Sequence, residues 1–269
     1  MTPDTITPEL TTVLRRLKLG RLLATLPARL VLARQQQMPF QDFLLLILSD
    51  EVARRDSAAV TLRAAQAHLD PTMTLEQWDP TAKVTYDRAL WNELVALRFL
   101  DRHAHVAIVG PVGTGKTFLA HTLGWLACQH GHSVLAITAD QMLKQLKHAR
   151  LDHTYEAVLR KLLAVDLLLL DDFGLDALDP VESRDTYEIL NERHRSGSIV
   201  VTSNRGPDEW LATFADPLRA QSAIDRFVNN AYDLVLDGES YRRRQKPSLD
   251  TAPSAGAQEA PPKKRLRRR

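Results

Sequence analysis

The segment GPVGTGKT at residues 110–117 constrains the fold of this chain more than any other feature. It matches G-x-x-x-x-G-K-[ST] in full, follows the apolar segment HVAIVG at 105–110 and precedes a helix-like sequence. Glycines let such a loop turn tightly, so that consecutive N–H groups point at phosphate oxygens, and the amino end of the helix adds positive partial charge. The sequence therefore predicts a strand–loop–helix unit that binds a nucleotide.

Nine consecutive positions are predicted to contact this nucleotide. They are Gly110, Pro111, Val112, Gly113, Thr114, Gly115, Lys116, Thr117 and Phe118. Lys116 is expected to reach the β- and γ-phosphates, and the hydroxyl of Thr117 is expected to ligate Mg²⁺. The guanine-reading pattern N-K-x-D is absent, since NRGPD at 204–208 does not fit it. We therefore predict ATP and Mg²⁺ as the cofactors.

The segment LLLLDDFG at 167–174 permits two interpretations. Its last three letters match the metal-binding triplet of protein kinases, and Arg184–Asp185 and Asn191 follow it. In kinases, however, the catalytic HRD precedes DFG, and its Asp and Asn lie five residues apart rather than six. Four leucines that run into two aspartates match instead the buried strand beside the phosphates of a P-loop ATPase. We therefore predict that Asp171 holds Mg²⁺ and that Asp172 polarises the attacking water as general base.

Apolar segments alternate with helix-like segments from about residue 83 onward. Strands are predicted at 105–110, 133–139, 165–172 and 198–204, with a possible fifth at 232–238. Asp179 and Glu182 form the capping-box pattern of a helix between the third and fourth strands. Continuous apolar strands that alternate with helices are typical of a parallel sheet covered on both faces. The predicted fold class is α/β.

The chain divides into three parts. Residues 9–70 are helix-like throughout, and LDPTMTLEQWDPTA at 69–82 interrupts the pattern as a predicted linker. We predict a small all-helical DNA-binding domain over 1–75 and an ATPase domain over 76–246. Residues 247–269 are rich in Pro, Ala and Ser and end in a basic run, which predicts a disordered basic tail.

The formal net charge of +2 conceals two local excesses. The last seven residues, KKRLRRR, hold six basic and no acidic side chains, while the other 262 residues carry 29 basic and 33 acidic ones. Residues 10–41 hold six basic side chains and no acidic one. Basic helix faces are commonly just solvated, but an acid-free run of this length favours a polyanionic partner. The basic end permits three interpretations: a DNA-binding arm, a partner-binding segment or a solvated end.

Cysteine content and hydropathy indicate the compartment. A single cysteine, Cys128, excludes an internal disulfide framework and fits a reducing compartment, where it is expected to be a buried core residue. The first ten residues, MTPDTITPEL, lack the pattern of a secretory signal. The longest apolar run, FLLLIL, has six residues, far short of the roughly 20 that span a bilayer. We expect a cytoplasmic protein with no membrane partner.

The chain resembles the AAA+ ATPases, and within them the IstB/DnaC group. The resemblance covers about residues 10–245 and is closer to IstB-type transposition helpers than to helicase loaders. It depends on segments spread along the chain: DEVARRDS, GPVGTGKTFLA, LLLLDDFGLDALD, YEILNERHRSGSIVVTSNRGPDEW, AIDRF and LDGESYR. It implies an AAA+ P-loop fold with a five-stranded parallel sheet, ATP hydrolysis, assembly of subunits along duplex DNA, and a transposase as partner.

The resemblance also implies roles for three further residues. Asn204 falls at the sensor-1 position, which orients the water and the γ-phosphate. Arg193, with Arg195 as the alternative, falls at the arginine-finger position, which acts on the ATP of a neighbouring subunit. Arg226 falls at the sensor-2 position and would contact the γ-phosphate from the carboxyl-terminal lid helices. The simpler interpretations are a turn cap for Asn204, a helix-end cation for Arg193 or Arg195, and a surface ion pair for Arg226 with Asp225.

Seven basic residues are candidates for DNA contacts. They are Arg15, Arg16, Lys18 and Arg21 in the acid-free run, and Lys144, Lys147 and Arg150 at helical spacing in DQMLKQLKHAR, where a solvated face is an equal alternative. We predict an ATP-dependent, oligomerising DNA-binding protein that assists a transposase in target selection. The alternatives are a helicase loader, a P-loop kinase or transferase of small molecules, and a non-hydrolysing DNA scaffold. Aspartate at 172, where many AAA+ proteins have glutamate, predicts slow turnover.

Overall fold

A parallel sheet forms the centre of the molecule in the computed structural model, which describes residues 6–244. The strands of this part are β1 (Val84–Thr85), β2 (His105–Val109), β3 (Val134–Thr138), β4 (Leu167–Asp171), β5 (Ser198–Ser203), β6 (Ala231–Val235) and β7 (Asp237–Gly238). Five of them form the sheet in the order β3-β4-β5-β2-β6, with every neighbouring pair parallel. The short strands β1 and β7 pair antiparallel beside it.

Helices cover both faces of this sheet. They are α1 (Pro8–Arg16), α2 (Leu26–Gln35), α3 (Phe40–Gln66), α4 (Arg88–Val95), α5 (Arg98–Asp101), α6 (Lys116–Gln129), α7 (Ala139–Leu151), α8 (Tyr155–Ala164), α9 (Pro180–Arg193), α10 (Pro207–Trp210), α11 (Pro217–Val228) and α12 (Tyr241–Arg244). Single 3₁₀ turns occupy Gly20–Ala24, Leu75–Gln77 and Leu211–Thr213. Among the described residues, none of the helices combines the length and apolar character that crossing a bilayer requires.

The predicted α/β class is confirmed, because the apolar strands are buried on both faces. Leu167 and Leu169 of β4 belong to one hydrophobic cluster, and Leu168 and Leu170 belong to another. Successive side chains of a strand point to opposite faces, so an unbroken leucine run needs a covered sheet. The predicted capping box is also present: Asp179 accepts from the N–H groups of Val181 and Glu182, and Glu182 accepts from that of Asp179.

The segment predicted as a fifth strand divides into two. Residues 231–235 form β6, which extends the sheet beside β2, whereas Asp237–Gly238 leaves the sheet and pairs with β1. Between them the N–H of Leu236 donates to the carbonyl of Val109 at 2.7 Å. The chain therefore returns, at its carboxyl-terminal end, to the end of the strand that precedes the phosphate loop.

The long helix α3 joins the amino-terminal helices to the ATPase core. At its start Phe43 and Ile47 pack on a small cluster of Leu14, Leu22 and Leu26. Beyond its other end, Ala67 and Leu69 belong to the main core, and Leu69 lies against Gly124 of α6.

Residues 69–82, predicted as a linker, are packed rather than extended between two bodies. Trp125 Nε1 donates to the carbonyl of Asp70 at 2.8 Å, and the Trp78 ring lies 5.3 Å from that of Phe118. The buried position of Cys128 confirms the core role predicted for it, and burial raises the pKa of its thiol to about 11.

A buried carboxylate anchors the amino-terminal helices. Glu51 is only 3% exposed and accepts hydrogen bonds of 2.8 Å from the guanidinium groups of Arg54 and Arg55. Hydrogen bonds first from Arg54 and then from Arg55 lower the pKa of Glu51 from 4.5 to about 2. Arg55 also donates to the carbonyl of Lys18, so this network ties α3 to the turn after α1.

Replacing Glu51 with glutamine should therefore destabilise the amino-terminal helices in a pH-dependent way. Because the folded-state pKa is depressed, the carboxylate stabilises the fold above about pH 4.5, and this contribution is lost as the pH falls toward 2. The stability difference between wild type and Glu51→Gln should shrink as the pH is lowered from about 5 to about 3. Urea unfolding followed by circular dichroism measures it. A difference that stays constant with pH would contradict the proposed network.

Candidate nucleotide site

The phosphate loop connects β2 to α6 and is closed over by the end of the described chain. Gly110 and Gly113 adopt φ values of 152° and 82°, which favour glycine. A Cβ at Gly110 would lie 2.2 Å from the carbonyl oxygen of Leu236, and one at Gly113 would lie 2.2 Å from Ser240 Oγ. These glycines are therefore needed both for the turn and for the close approach of residues 236–240.

Lys116 begins α6 and points back into the loop. Its Nζ donates to the carbonyls of Gly110 and Pro111 at 2.9 and 2.8 Å, and the residue is 6% exposed. Burial is the main cause that lowers the pKa of Lys116, while the carboxylates of Asp172 and Asp171 act in the opposite direction. The arrangement keeps one cation where a phosphate chain would enter the loop.

Asp171 and Thr117 form the pair predicted to hold Mg²⁺. The Thr117 hydroxyl lies 3.0 Å from Asp171 Oδ1 and 3.2 Å from Oδ2, and the hydroxyl of Thr202 also donates to this carboxylate. Magnesium is typically held by one or two protein oxygens together with phosphates and water. A carboxylate and a hydroxyl in contact fit that requirement, although the described residues contain no cluster of three or more His, Cys, Asp or Glu side chains suited to a metal.

Asp172 lies on the wall of the cavity that contains the phosphate loop. It has a left-handed backbone, with φ 56°, and its N–H donates to Thr202 Oγ1 at 3.0 Å. This turn sends the side chains of Asp171 and Asp172 to different surroundings. Burial first, and then the neighbouring Asp171, raises the pKa of the Asp172 carboxyl. A carboxylate with a raised pKa beside a phosphate site is suited to accepting a proton from water.

The cavity has a volume of about 450 Å³ and brings together residues from distant parts of the sequence. Lys116, Thr117 and Asp172 line it, and so does Asn204, which follows β5. Carboxyl ends of parallel strands meet at one edge of a sheet, which is why β2, β4 and β5 all deliver polar residues here. The structure therefore brings together four of the residues predicted from sequence.

Arg242 also lines this cavity, although no role was predicted for it. The N–H of the preceding Tyr241 donates to the carbonyl of Gly113 at 2.8 Å, which holds α12 against the phosphate loop. The positive charge of Arg242 adds to the lowering of the Lys116 pKa and opposes the rise in the Asp172 pKa. The segment LDGESYR contributes to the family resemblance, but no local pattern in it predicts a phosphate contact.

A smaller cavity of about 90 Å³ adjoins the loop on its apolar side. Trp78 and Phe118 line it together with Gly115, and the Tyr241 hydroxyl donates to Asp79 Oδ2 at 2.9 Å along its rim. Phe118, which the sequence predicts to contact the nucleotide, thus lies beside the phosphate loop. The aromatic surface suits a flat, apolar base.

Arg193 does not lie where the predicted arginine finger requires. It is fully buried, and its guanidinium donates to main-chain carbonyl oxygens on three segments. These acceptors are Leu162 and Leu163 of α8, Val165 and Asp166 after it, and Ser198 of β5. Burial lowers the pKa of Arg193 to about 10. The finger prediction is wrong for Arg193, because a group enclosed in this way cannot reach a neighbouring subunit.

Arg226 lies at the end of the sheet opposite the phosphate loop. Its guanidinium donates to the side-chain oxygen of Asn191, and it lines a cavity of about 480 Å³ with Arg102 and Arg195. This cavity is at the amino ends of the strands, since Arg195 lies shortly before β5 and Asn230 directly before β6. The five residues of β2 separate it from the loop by roughly 15 Å. Within one subunit Arg226 therefore lies too far from the phosphate loop to make the predicted γ-phosphate contact.

The basic residues predicted to contact DNA have different surroundings. Arg15, Arg16, Lys18 and Arg21 are all exposed. Lys144 pairs with Asp140 at 2.7 Å and Lys147 lies 3.9 Å from Asp179. Arg150 is instead bound to the buried carboxylate of Asp185, and its guanidinium carbon lies 4.1 Å from the centre of the Tyr155 ring. This contact gives Arg150 a structural role, so Arg150 is not part of the candidate DNA surface.

The geometry of the site agrees with a comparison to known families. The model of the IstB-like ATP binding protein family matches residues 12–248. The chain belongs to this family. A protein of Mycobacterium tuberculosis, named as an ATP-binding protein in an insertion sequence, is 35% identical over 246 residues, which are 91% of this chain and 98% of the relative.

Solved structures show the same fold. The replication initiator DnaA bound to AMPPCP and single-stranded DNA is 25% identical, with a TM-score of 0.53 over 68% of this chain and 58% of that chain. The DnaC helicase loader is 18% identical, with a TM-score of 0.53 over 62% of this chain and 98% of that chain. The predicted AAA+ P-loop fold and the resemblance to IstB-type proteins are both confirmed, and the chain is an ATP-binding protein.

Proposed function

We propose that this IstB-like protein hydrolyses ATP with Mg²⁺. Lys116 and the loop N–H groups would bind the phosphates, Thr117 and Asp171 would hold the metal, and Asp172 would accept a proton from the attacking water. Bound Mg²⁺ would neutralise charge that develops on the phosphates. The observation that carries the proposal is a single cavity lined by the loop, Asp172, Asn204 and Arg242.

Within that cavity Arg242 takes the place that Arg226 had in the prediction. It is the arginine on the cavity wall beside Lys116 and Asp172. We therefore propose that Arg242 contacts the γ-phosphate of its own subunit and that Asn204 orients the water. Positive and polar groups in such positions stabilise charge in the transition state.

An arginine that acts on the ATP of a neighbouring subunit has to lie on the surface. Arg195 is exposed, and Arg226 lines the cavity at the amino ends of the strands beside it. With Arg102 and His194, they form a basic surface that cannot serve the subunit's own nucleotide. We propose that this surface faces the phosphates of the next subunit in a homo-oligomer.

Mixing subunits tests that assignment. Arg226→Ala or Arg195→Ala alone should reduce hydrolysis by on the order of 10³-fold while ATP affinity stays within a few fold. Adding Lys116→Ala subunits, which keep their arginines, should restore part of the activity. Arg160→Ala, an exposed arginine on α8, serves as the matched control. Full activity of both surface variants, or failure of the mixture to recover, would contradict action between subunits.

We further propose that the protein binds duplex DNA, assembles along it and assists a transposase in target selection and insertion. Support comes from the insertion-sequence relative and from the exposed basic residues Arg15, Arg16, Lys18 and Arg21. The likeness to DnaC keeps a helicase loader as the alternative. A small-molecule kinase or transferase is the alternative from another class, and it predicts a monomer that turns over without DNA.

Measuring ATPase activity and particle size with and without duplex DNA distinguishes these functions. Duplex DNA should increase both the ATPase activity and the particle size. The transposase of the same element should give more strand transfer when this protein and ATP are present. DNA affinity should fall steeply with salt, because the contacts are with phosphates. Replacing Arg15, Arg16, Lys18 and Arg21 with alanine should flatten this dependence. DNA-independent turnover by a monomer would contradict the proposal.

A further inference from the structure

A second cavity, of about 400 Å³, shares Asp172 as a lining residue with the nucleotide cavity. It is enclosed by the start of α7, the first turns of α9 and the loop that follows β4. Four carboxylates line it, those of Asp140, Asp172, Asp176 and Glu182, and no Lys, Arg or His side chain does so among the described residues. We call it the acidic cavity.

Two features indicate that the acidic cavity accommodates a ligand. Thr186 lines it and is 1% exposed, yet its hydroxyl has no hydrogen-bond partner in the described part of the chain. Buried hydroxyls are normally satisfied, so a polar group entering the cavity would gain this contact. Asp176 is exposed and forms no ion pair with any described residue, whereas Asp140 pairs with Lys144.

The sequence contains a segment with the complementary charge. Residues 263–269, KKRLRRR, carry six basic side chains. The described chain ends at Arg244 in α12, and Arg242 of that helix shares the nucleotide cavity with Asp172. The 18 residues between Arg244 and Lys263 can span up to about 60 Å, so the acidic cavity next to Asp172 is within reach.

We propose that the acidic cavity binds lysine and arginine side chains of residues 263–269 of the same chain. Covalent attachment makes even a weak contact effective, because binding is then intramolecular. A bound cation would lie in a cavity that Asp172 also lines. DNA phosphates would compete for the same six charges and withdraw the segment, which would couple DNA binding to hydrolysis. This last consequence depends on the proposed function; the binding itself does not.

Fluorescence anisotropy of the full-length protein tests the binding without ATP turnover. A fluorophore is attached at Leu266→Cys, since buried Cys128 is shielded from labelling. The label should have high anisotropy at low salt, lower anisotropy at high salt or with duplex DNA, and a value independent of protein concentration. Changing the six basic residues to glutamine should abolish the high value.

A pair of charge-matched variants locates the site. Asp140→Asn with Asp176→Asn should lower the anisotropy at least twofold toward the value of the neutralised segment. Asp56→Asn with Asp152→Asn removes the same charge from exposed positions on α3 and beyond α7 and should leave the anisotropy unchanged. Equal effects of the two pairs would overturn the proposal, and so would a signal that rises with protein concentration, which would assign the segment to another copy.

Discussion

Replacing Arg193 with alanine is expected to lower the free energy of unfolding by about 3–5 kcal/mol. Five carbonyl oxygens would lose the Arg193 donor inside the protein, and each buried acceptor left without a partner is costly. The carbonyl of Asp166 would keep one donor, the N–H of Ser198. The fit is also close, since a Cβ at Gly197 would lie 2.7 Å from Arg193 Nη2. Urea denaturation followed by tryptophan fluorescence measures the loss.

Two substitutions serve as controls for this expectation. Arg195→Ala removes an exposed arginine two residues away and should change stability by less than about 0.5 kcal/mol. Arg193→Lys should give an intermediate loss, since an ammonium group offers at most three donors. An Arg193→Ala protein that is as stable as wild type but inactive would restore the arginine-finger assignment and contradict the structural role.

Replacing Lys116 with alanine is expected to reduce ATP hydrolysis by on the order of 10³-fold and to weaken ATP binding strongly. The reason is that Lys116 is the lysine of the nucleotide cavity and is already enclosed by the phosphate loop. Isothermal calorimetry with ATP and a phosphate-release assay measure both effects. Lys161→Ala, which removes an exposed lysine on α8, is the matched control.

The stability of the Lys116→Ala protein should not fall, in contrast to that expected for Arg193→Ala. Burial disfavours the charged form of Lys116, as its lowered pKa indicates, so the nucleotide-free variant should be at least as stable as wild type. Retention of ATP affinity within about threefold of wild type would contradict the role assigned to Lys116.

These two buried cations explain how much of the site was predictable. Lys116 is identified by neighbours in the sequence, because loop and helix geometry place it once the motif forms. Thr117 and Asp171, both predicted to hold Mg²⁺, lie in contact, since a buried strand that ends in aspartate has to deliver it to the edge where the loop lies. The fold class was predictable as well, because an unbroken leucine run requires a sheet that is covered on both faces.

Arg193 and Arg226 show where prediction from the family pattern failed. Their roles were predicted from their positions along the chain: Arg193 lies near the end of the helix before a strand, and Arg226 lies in a later helix. The rotation of a helix about its axis decides which face a side chain occupies, and its direction decides which end of the sheet it reaches. Arg193 consequently points into the core, and Arg226 lies where α11 ends, at the amino ends of the strands.

The sequence by itself determined the phosphate loop, its lysine, the threonine and aspartate predicted to hold Mg²⁺, and the buried parallel strands, because each is marked by a local pattern of contiguous residues. Only the tertiary structure decided that Trp78 and Arg242 join this site and that Arg193 does not, because their contacts are with residues that are not neighbours in the sequence. Those positions depend on where the chain returns, through contacts such as that of Tyr241 with Gly113. Contacts between separate segments of the chain leave no local pattern, since they arise only when the core packs.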